Sequence, residues 1–400
     1  MINKKAKKLG NSPSVIRDLA EYGKKRKQEI GEDNVFDYSI GNPSVPPPQN
    51  VTDSLIEMLR VEEPMKLHSY TSAVGDREVR EKIALYLNKT YFAKTSANFI
   101  YLTAGAAASL TISLNALLDN GDEVILFAPY FPEYSVFVEK AGGVVKIVKP
   151  TEPTFKPDFD EFEKCITQKT KAVIINSPNN PTGVVLTEDD IQKLTKILDK
   201  KQIQFNKEIY LISDEPYREL VYSDIKYPFI TNYYDNSIVC YSFSKSISLP
   251  GERIGYILVN PNCKDVTDVF YAICGAGRAL GFICAPTLFQ YLIPHCLGNT
   301  VDTSIYKNNR DLLYNALTEY GYEVAKPDGA FYLFVKALED DANKFSNVAK
   351  IFELLLVPSN SFGYNGYVRI SYCVSTEQIK KSLPAFKKLI DYYKREKAND

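Results

Sequence analysis

Lys245 closes the segment Ser242-Phe243-Ser244-Lys245, and Arg253 follows eight residues later. A lysine amine condenses with an aldehyde when burial or neighbouring positive charge depresses its pKa. Upstream, Asp214-Glu215-Pro216-Tyr217 offers an acid with a tyrosine three residues on. A buried carboxylate facing a pyridine nitrogen keeps that ring protonated and electron-withdrawing. Asn180, in Ser177-Pro178-Asn179-Asn180-Pro181-Thr182-Gly183, can join Tyr217 in hydrogen-bonding a phenolate oxygen. Gly105, Ala106 and Ala107 are small residues opening a helix, where free N–H groups and the helix dipole cradle an anion. The hydroxyls of Ser242 and Ser244 and the guanidinium of Arg253 would serve the same anion.

Each signal is weak alone. Small residues at a strand–helix turn usually mean tight packing, and a lone lysine at a strand end is usually solvated surface. What carries weight is their position at successive strand ends. Strands are expected at Phe99–Thr103, Glu123–Phe127, Val144–Val148, Ala172–Asn176, Ile209–Asp214, Ile238–Ser242 and Gly255–Val259. Most are near-continuous apolar runs, as in a sheet covered on both faces, and helices such as Ala106–Leu118 and Asp189–Leu198 separate them. In a mainly parallel α/β sheet, ligands sit at the carboxyl ends of the strands. A phosphate cradle, an asparagine, an acid–tyrosine pair and a Ser–Lys–Arg group at that edge meet the requirements of pyridoxal 5′-phosphate.

The flanks read differently. A charged helix over 12–31 is followed by Gly41-Asn42-Pro43 and the Pro46-Pro47-Pro48 break. The last ninety residues mix a helix at 301–320, short strands near 331–335 and 367–372, and a terminal helix at 376–396. The expected architecture is α/β. A large domain with a seven-stranded, mainly parallel sheet lies between helices, beside a smaller α+β domain built from both chain ends. The expected division places an N-terminal arm and part of the small domain in 1–48, the large cofactor-binding domain in 49–300 and the rest of the small domain in 301–400.

Composition excludes other classes. The 48 basic and 49 acidic side chains nearly cancel, which gives no case for a nucleic-acid partner. No apolar run of 18 residues or more exists, so no membrane partner is expected. Seven Cys without a Cys-x-x-Cys pair, and only two His, argue against a disulfide framework or a metal site and for reduced thiols in the cytoplasm.

The sequence resembles the class I/II aminotransferases, in the aspartate aminotransferase superfamily of fold-type I pyridoxal-phosphate enzymes. The resemblance runs from about residue 35 to 385. It rests on Asn180-Pro-Thr-Gly183, Asp214-x-x-Tyr217, Ser242-x-Ser-Lys245 with Pro250-Gly-x-Arg253-Ile-Gly255, Gly41-Asn-Pro, Tyr70-Thr and Tyr367-Val-Arg369-Ile-Ser371. It implies Lys245 as Schiff-base lysine and proton shuttle, Asp214 at the pyridine nitrogen, and Asn180 and Tyr217 on the ring oxygen. It implies a phosphate site from Gly105, Ala106, Ala107, Ser242, Ser244 and Arg253, with Tyr70 reaching in from a neighbouring subunit of a homodimer. Phe131 falls where the family stacks an aromatic ring on the cofactor. Arg369, with the backbone near Gly41, would clamp the substrate α-carboxylate. Arg278 falls near an arginine that, in aspartate aminotransferases, crosses the interface to a distal carboxylate. The implied reaction is transamination between an amino acid, aspartate or glutamate among the candidates, and a 2-oxo acid. The alternative is a carbon–sulfur β-lyase on the same scaffold.

Overall fold

The computed structural model describes residues 2–11 and 15–399. Seven strands form the central sheet: β1 (Ile100–Thr103), β2 (Glu123–Phe127), β3 (Val144–Val148), β4 (Thr170–Asn176), β5 (Tyr210–Asp214), β6 (Ser237–Ser242) and β7 (Gly255–Val259). Their order across the sheet is β1-β7-β6-β5-β4-β2-β3. Every residue of β5, β6 and β7 is buried, which is why these runs lack the apolar–polar alternation of a half-solvated sheet. The edge strand β3 leaves Val144 and Ile147 exposed.

β7 alone runs antiparallel, pairing Gly255 with Ser242 on one side and with Thr103 on the other. Its first residue therefore lies beside the last residues of β6 and β1. Gly255 fits because a Cβ there would come 2.2 Å from the Tyr241 carbonyl oxygen. Arg253, two residues earlier, is thereby delivered to the edge where the parallel strands end.

Two helices at this edge have clear local causes. α1 (Ala106–Leu117) begins at Gly105, whose φ of 84° is strained for any residue with a Cβ. α2 (Glu188–Phe205) begins with a capping box: Thr187 Oγ1 accepts from Asp190 N at 3.3 Å, and Asp190 Oδ2 accepts from Thr187 N at 2.9 Å. The helix runs on past the expected end at Leu198, because Lys200, Lys201 and Gln202 favour helix and Asn206, at φ 48°, supplies the left-handed stop.

Both chain ends build the smaller α+β unit. A four-stranded sheet takes the order Val324–Ala325, Tyr332–Lys336, Tyr367–Ser371, Val357–Pro358, and the helices Thr303–Tyr320 and Thr376–Asn399 pack together beside it. Phe36–Asp37 pairs in parallel with Leu354–Leu355, which ties the N-terminal segment to this unit. The helix expected over 12–31 is observed as Val15–Ile30, ending one residue early; the expected residues 12–14 lie outside the described ones. Among the described residues, no helix is long and apolar enough to cross a membrane.

The capping box gives a direct test of the fold. Thr187→Ala removes the oxygen that satisfies Asp190 N and should cost about 1 kcal/mol, read as a lower midpoint of urea unfolding.

Candidate active site

The ends of β1, β4, β5 and β6 and the start of β7 surround a cavity of about 280 Å³. Gly41, Ala106, Ala107, Phe131, Asn180, Asp214, Tyr217, Ser242, Ser244, Lys245, Arg253 and Arg369 all line it. These residues span from 41 to 369, so the fold has gathered distant segments. A larger hollow of about 420 Å³ beside Asp199 and Asp235 shares none of these residues.

Asp214 sits at the base, 5% exposed. Tyr134 Oη donates to its Oδ2 at 2.5 Å, while Oδ1 is buried without a partner. Burial pushes the carboxyl up to about 7; the Tyr134 hydrogen bond opposes this and nearby Glu215 adds to it. Lys245 Nζ donates to the Gly41 carbonyl at 2.7 Å. Burial lowers its pKa to about 8, with Cys373 opposing and the cations Arg253 and Arg369 assisting.

Arg369 is 2% exposed and pairs with no carboxylate among the described residues. Its Nη2 donates to Ser39 O at 2.6 Å, its Nη1 to Asn180 Oδ1 at 3.1 Å, and its Nε has no partner. A buried guanidinium in that state favours an incoming anion.

The helix end supplies a second anion-seeking group. Gly105 caps α1, and a Cβ on it would come 2.7 Å from Arg253 Nη2. Arg253 Nη1 donates to Ser244 Oγ at 3.4 Å, and the hydroxyls of Ser244 and Ser242 lie 2.7 Å apart. The orphaned Asp214 oxygen, the glycine-opened helix end with its serines and arginine, and the depressed lysine together fit pyridoxal 5′-phosphate.

Three expected residues do not line this cavity: Gly105, which caps α1 just behind Ala106, and Tyr70 and Arg278. Tyr70 is 96% exposed, and Arg278 is exposed on the helix Val266–Leu280. Others in the site were not anticipated. Tyr134 follows Phe131 by three residues, the first before and the second inside the helix Glu133–Lys140 (Phe131 before it, Tyr134 within), and that aromatic repeat was the available signal. Tyr332 shares a hydrogen bond of 2.8 Å with Tyr217 through their hydroxyls, and Ile16 and Leu110 add apolar wall. No local pattern marks those three.

A buried lysine and an orphaned acid at the carboxyl edge of such a sheet define a pyridoxal-phosphate enzyme. Comparison narrows the class. The aminotransferase class I and II family profile matches residues 33–386, and the chain belongs to that family. It is similar to a crystal structure of an amino transferase from Eubacterium rectale, 52% identical, covering 98% of this chain and 99% of that one, with TM-score 0.96. It is 32% identical to the aspartate aminotransferase of Thermotoga maritima over 88% of this chain and 90% of that protein. It also superposes on the Thermus thermophilus aspartate aminotransferase structure with maleate, at TM-score 0.85 and 26% identity, covering 97% of this chain and 100% of that one. The protein is a pyridoxal-phosphate-dependent transaminase.

The close approach of Gly41 to Tyr332 is testable. A Cβ at position 41 would lie 2.1 Å from Tyr332 Oη. Gly41→Ala should therefore lower the thermal midpoint, and Tyr332→Phe in the same chain should restore part of the loss.

Proposed function

We propose that Lys245, Asp214 and Arg369 carry the reaction. The observation behind this is the pair of unmatched buried groups in one cavity, Asp214 Oδ1 and Arg369 Nε. When bound, pyridoxal phosphate supplies an aldehyde for the amine and a ring that takes up electrons. With the cofactor bound, Lys245 would serve as the neutral amine that holds its aldehyde and as the base that moves the proton at the substrate α-carbon. Asp214 Oδ1, buried without a partner, would accept a hydrogen bond from the pyridine N–H and keep the ring an effective sink. Asn180 and Tyr217 would hold the ring oxygen and Phe131 would pack on the ring, all three lining the cavity. Gly105, Ala106, Ala107, Ser242, Ser244 and Arg253 hold the phosphate. Arg369 binds the substrate α-carboxylate as a fork, with the Gly41 backbone beside it.

The substrate is an amino acid with a 2-oxo acid as acceptor, and a dicarboxylate donor is the reading the relatives support. One is named aspartate aminotransferase, and a solved neighbour of that name carries maleate. Apart from Lys245, the cationic residues lining the cavity are Arg253 and Arg369, both already engaged. A partner for a distal carboxylate then comes from a second copy, and exposed Arg278 is the residue we assign, with Tyr70 of that copy reaching the phosphate. The chain is thus proposed to work as a homodimer in the cytoplasm, where its seven free cysteines stay reduced. The comparisons favour transamination over the β-lyase alternative.

Lysine pKa and donor choice give two tests. Below about pH 8 the amine of Lys245 is mostly protonated, so its capture of added pyridoxal phosphate should speed up about tenfold per pH unit and level off above that point. Stopped-flow absorbance on cofactor-free protein measures this; a rise continuing to pH 10, or capture persisting in Lys245→Ala, would refute the assignment. In a donor panel, aspartate and glutamate should exceed alanine and phenylalanine in kcat/KM, and Arg278→Ala should remove that preference. Loss of all donors equally would count against Arg278 as the side-chain selector.

A further inference from the structure

The turn after β5 has two faces. Asp214 and Tyr217 line the cavity, whereas Glu215 and Arg218 are buried without lining it, 0% and 2% exposed. Arg218 uses its whole guanidinium there. Nη1 donates to Glu215 Oε2 at 3.0 Å, Nε to Glu219 Oε1 at 3.2 Å and Nη2 to Tyr256 Oη at 3.1 Å. Its Cζ lies 4.1 Å from the Tyr241 ring centroid, 4.7 Å from that of Tyr91 and 5.4 Å from that of Phe229. Tyr241, on β6, donates from Oη to the same Glu219 oxygen at 3.0 Å and lies 2.9 Å from Ser246 Oγ. Ser246 is the neighbour of Lys245.

We propose that Arg218 is a positioning residue, locking the turn that carries Asp214 and Tyr217 to the turn that carries Ser242, Ser244 and Lys245. This rests on the assignment of Asp214 and Lys245 to the cofactor. The geometry favours it because one planar cation, held by three donor contacts and stacked between rings, has little freedom, so both turns inherit a fixed spacing. It also balances charge. Glu215 lies behind Asp214 and pushes the Asp214 carboxyl up, while Arg218 pulls the Glu215 carboxyl down against its burial. The other groups facing Asp214 are Tyr134, Tyr217 and Cys240, and none of them brings positive charge. Loss of Arg218 would therefore leave an uncompensated carboxylate behind the site, favouring protonated forms in front of it.

The test uses full-length protein loaded with pyridoxal phosphate. Arg218→Met should retain the cofactor less well through dialysis and raise the pH midpoint of its visible absorbance. It should also cut kcat about 10²-fold with a smaller change in KM. Arg218→Lys should recover the midpoint, since charge returns, but only part of kcat, since the fork does not. Tyr241→Phe keeps the cation and severs the link to Glu219 and Ser246; it should lower kcat in the same direction at a nearly unchanged thermal midpoint. If Arg218→Met does not fold, Tyr241→Phe decides. A fall in thermal midpoint alone, with titration and kcat unmoved, would make the cage merely structural and overturn the proposal. An unsubstituted chain without lysine-linked absorbance would instead overturn the cofactor reading on which the proposal stands.

Discussion

A guanidinium buried without a carboxylate is costly, and this fold maintains one at Arg369. Two polar contacts, Ser39 O and Asn180 Oδ1, hold it in place without neutralising it. The surrounding structure has to over-determine such a group. Arg369 sits on Tyr367–Ser371, paired on both sides within its sheet, and the Tyr332 and Phe362 rings lie 4.8 Å and 5.2 Å from its Cζ. That rigidity keeps the charge in the cavity without a carboxylate partner, as the role proposed for Arg369 requires.

The same logic places the other charged groups. Arg253 reaches the corner beside Ser244 because β7 runs against its neighbours, and β7 can pack there because Gly255 has no side chain. Lys245 and Asp214 are displaced toward each other in pKa, to about 8 and about 7, by one cause: burial disfavours the charge each would carry in water. An amine that loses its proton readily and an acid that keeps one readily are thus produced together by excluding water. Ile16 of the helix Val15–Ile30 contributes to the cavity wall.

The two buried guanidinium groups differ, although Glu215 Oε1 and Glu219 Oε2 beside Arg218 are themselves buried without a partner. Arg218 spends every guanidinium nitrogen on neighbours, whereas Arg369 keeps Nε in reserve. One is braced and the other is poised.

The sequence by itself determined what is local. Apolar runs set the seven sheet strands to within two residues of either end, Thr187 and Asp190 set a helix start, and Gly105 marked a helix that could cradle an anion. Because chain direction and strand alternation place strand ends on a common edge, Asp214, Lys245 and Arg253 could be grouped before any coordinates. What spans the chain was decided only by tertiary structure. Tyr134 reaches Asp214 across 80 residues, Tyr217 meets Tyr332 across 115, and Arg369 reaches Asn180 across 189. Such contacts depend on how two sheets pack, which no periodicity encodes. The exposure of Tyr70 and Arg278 belongs there too, since only packing settles whether a side chain turns toward its own cavity or toward solvent.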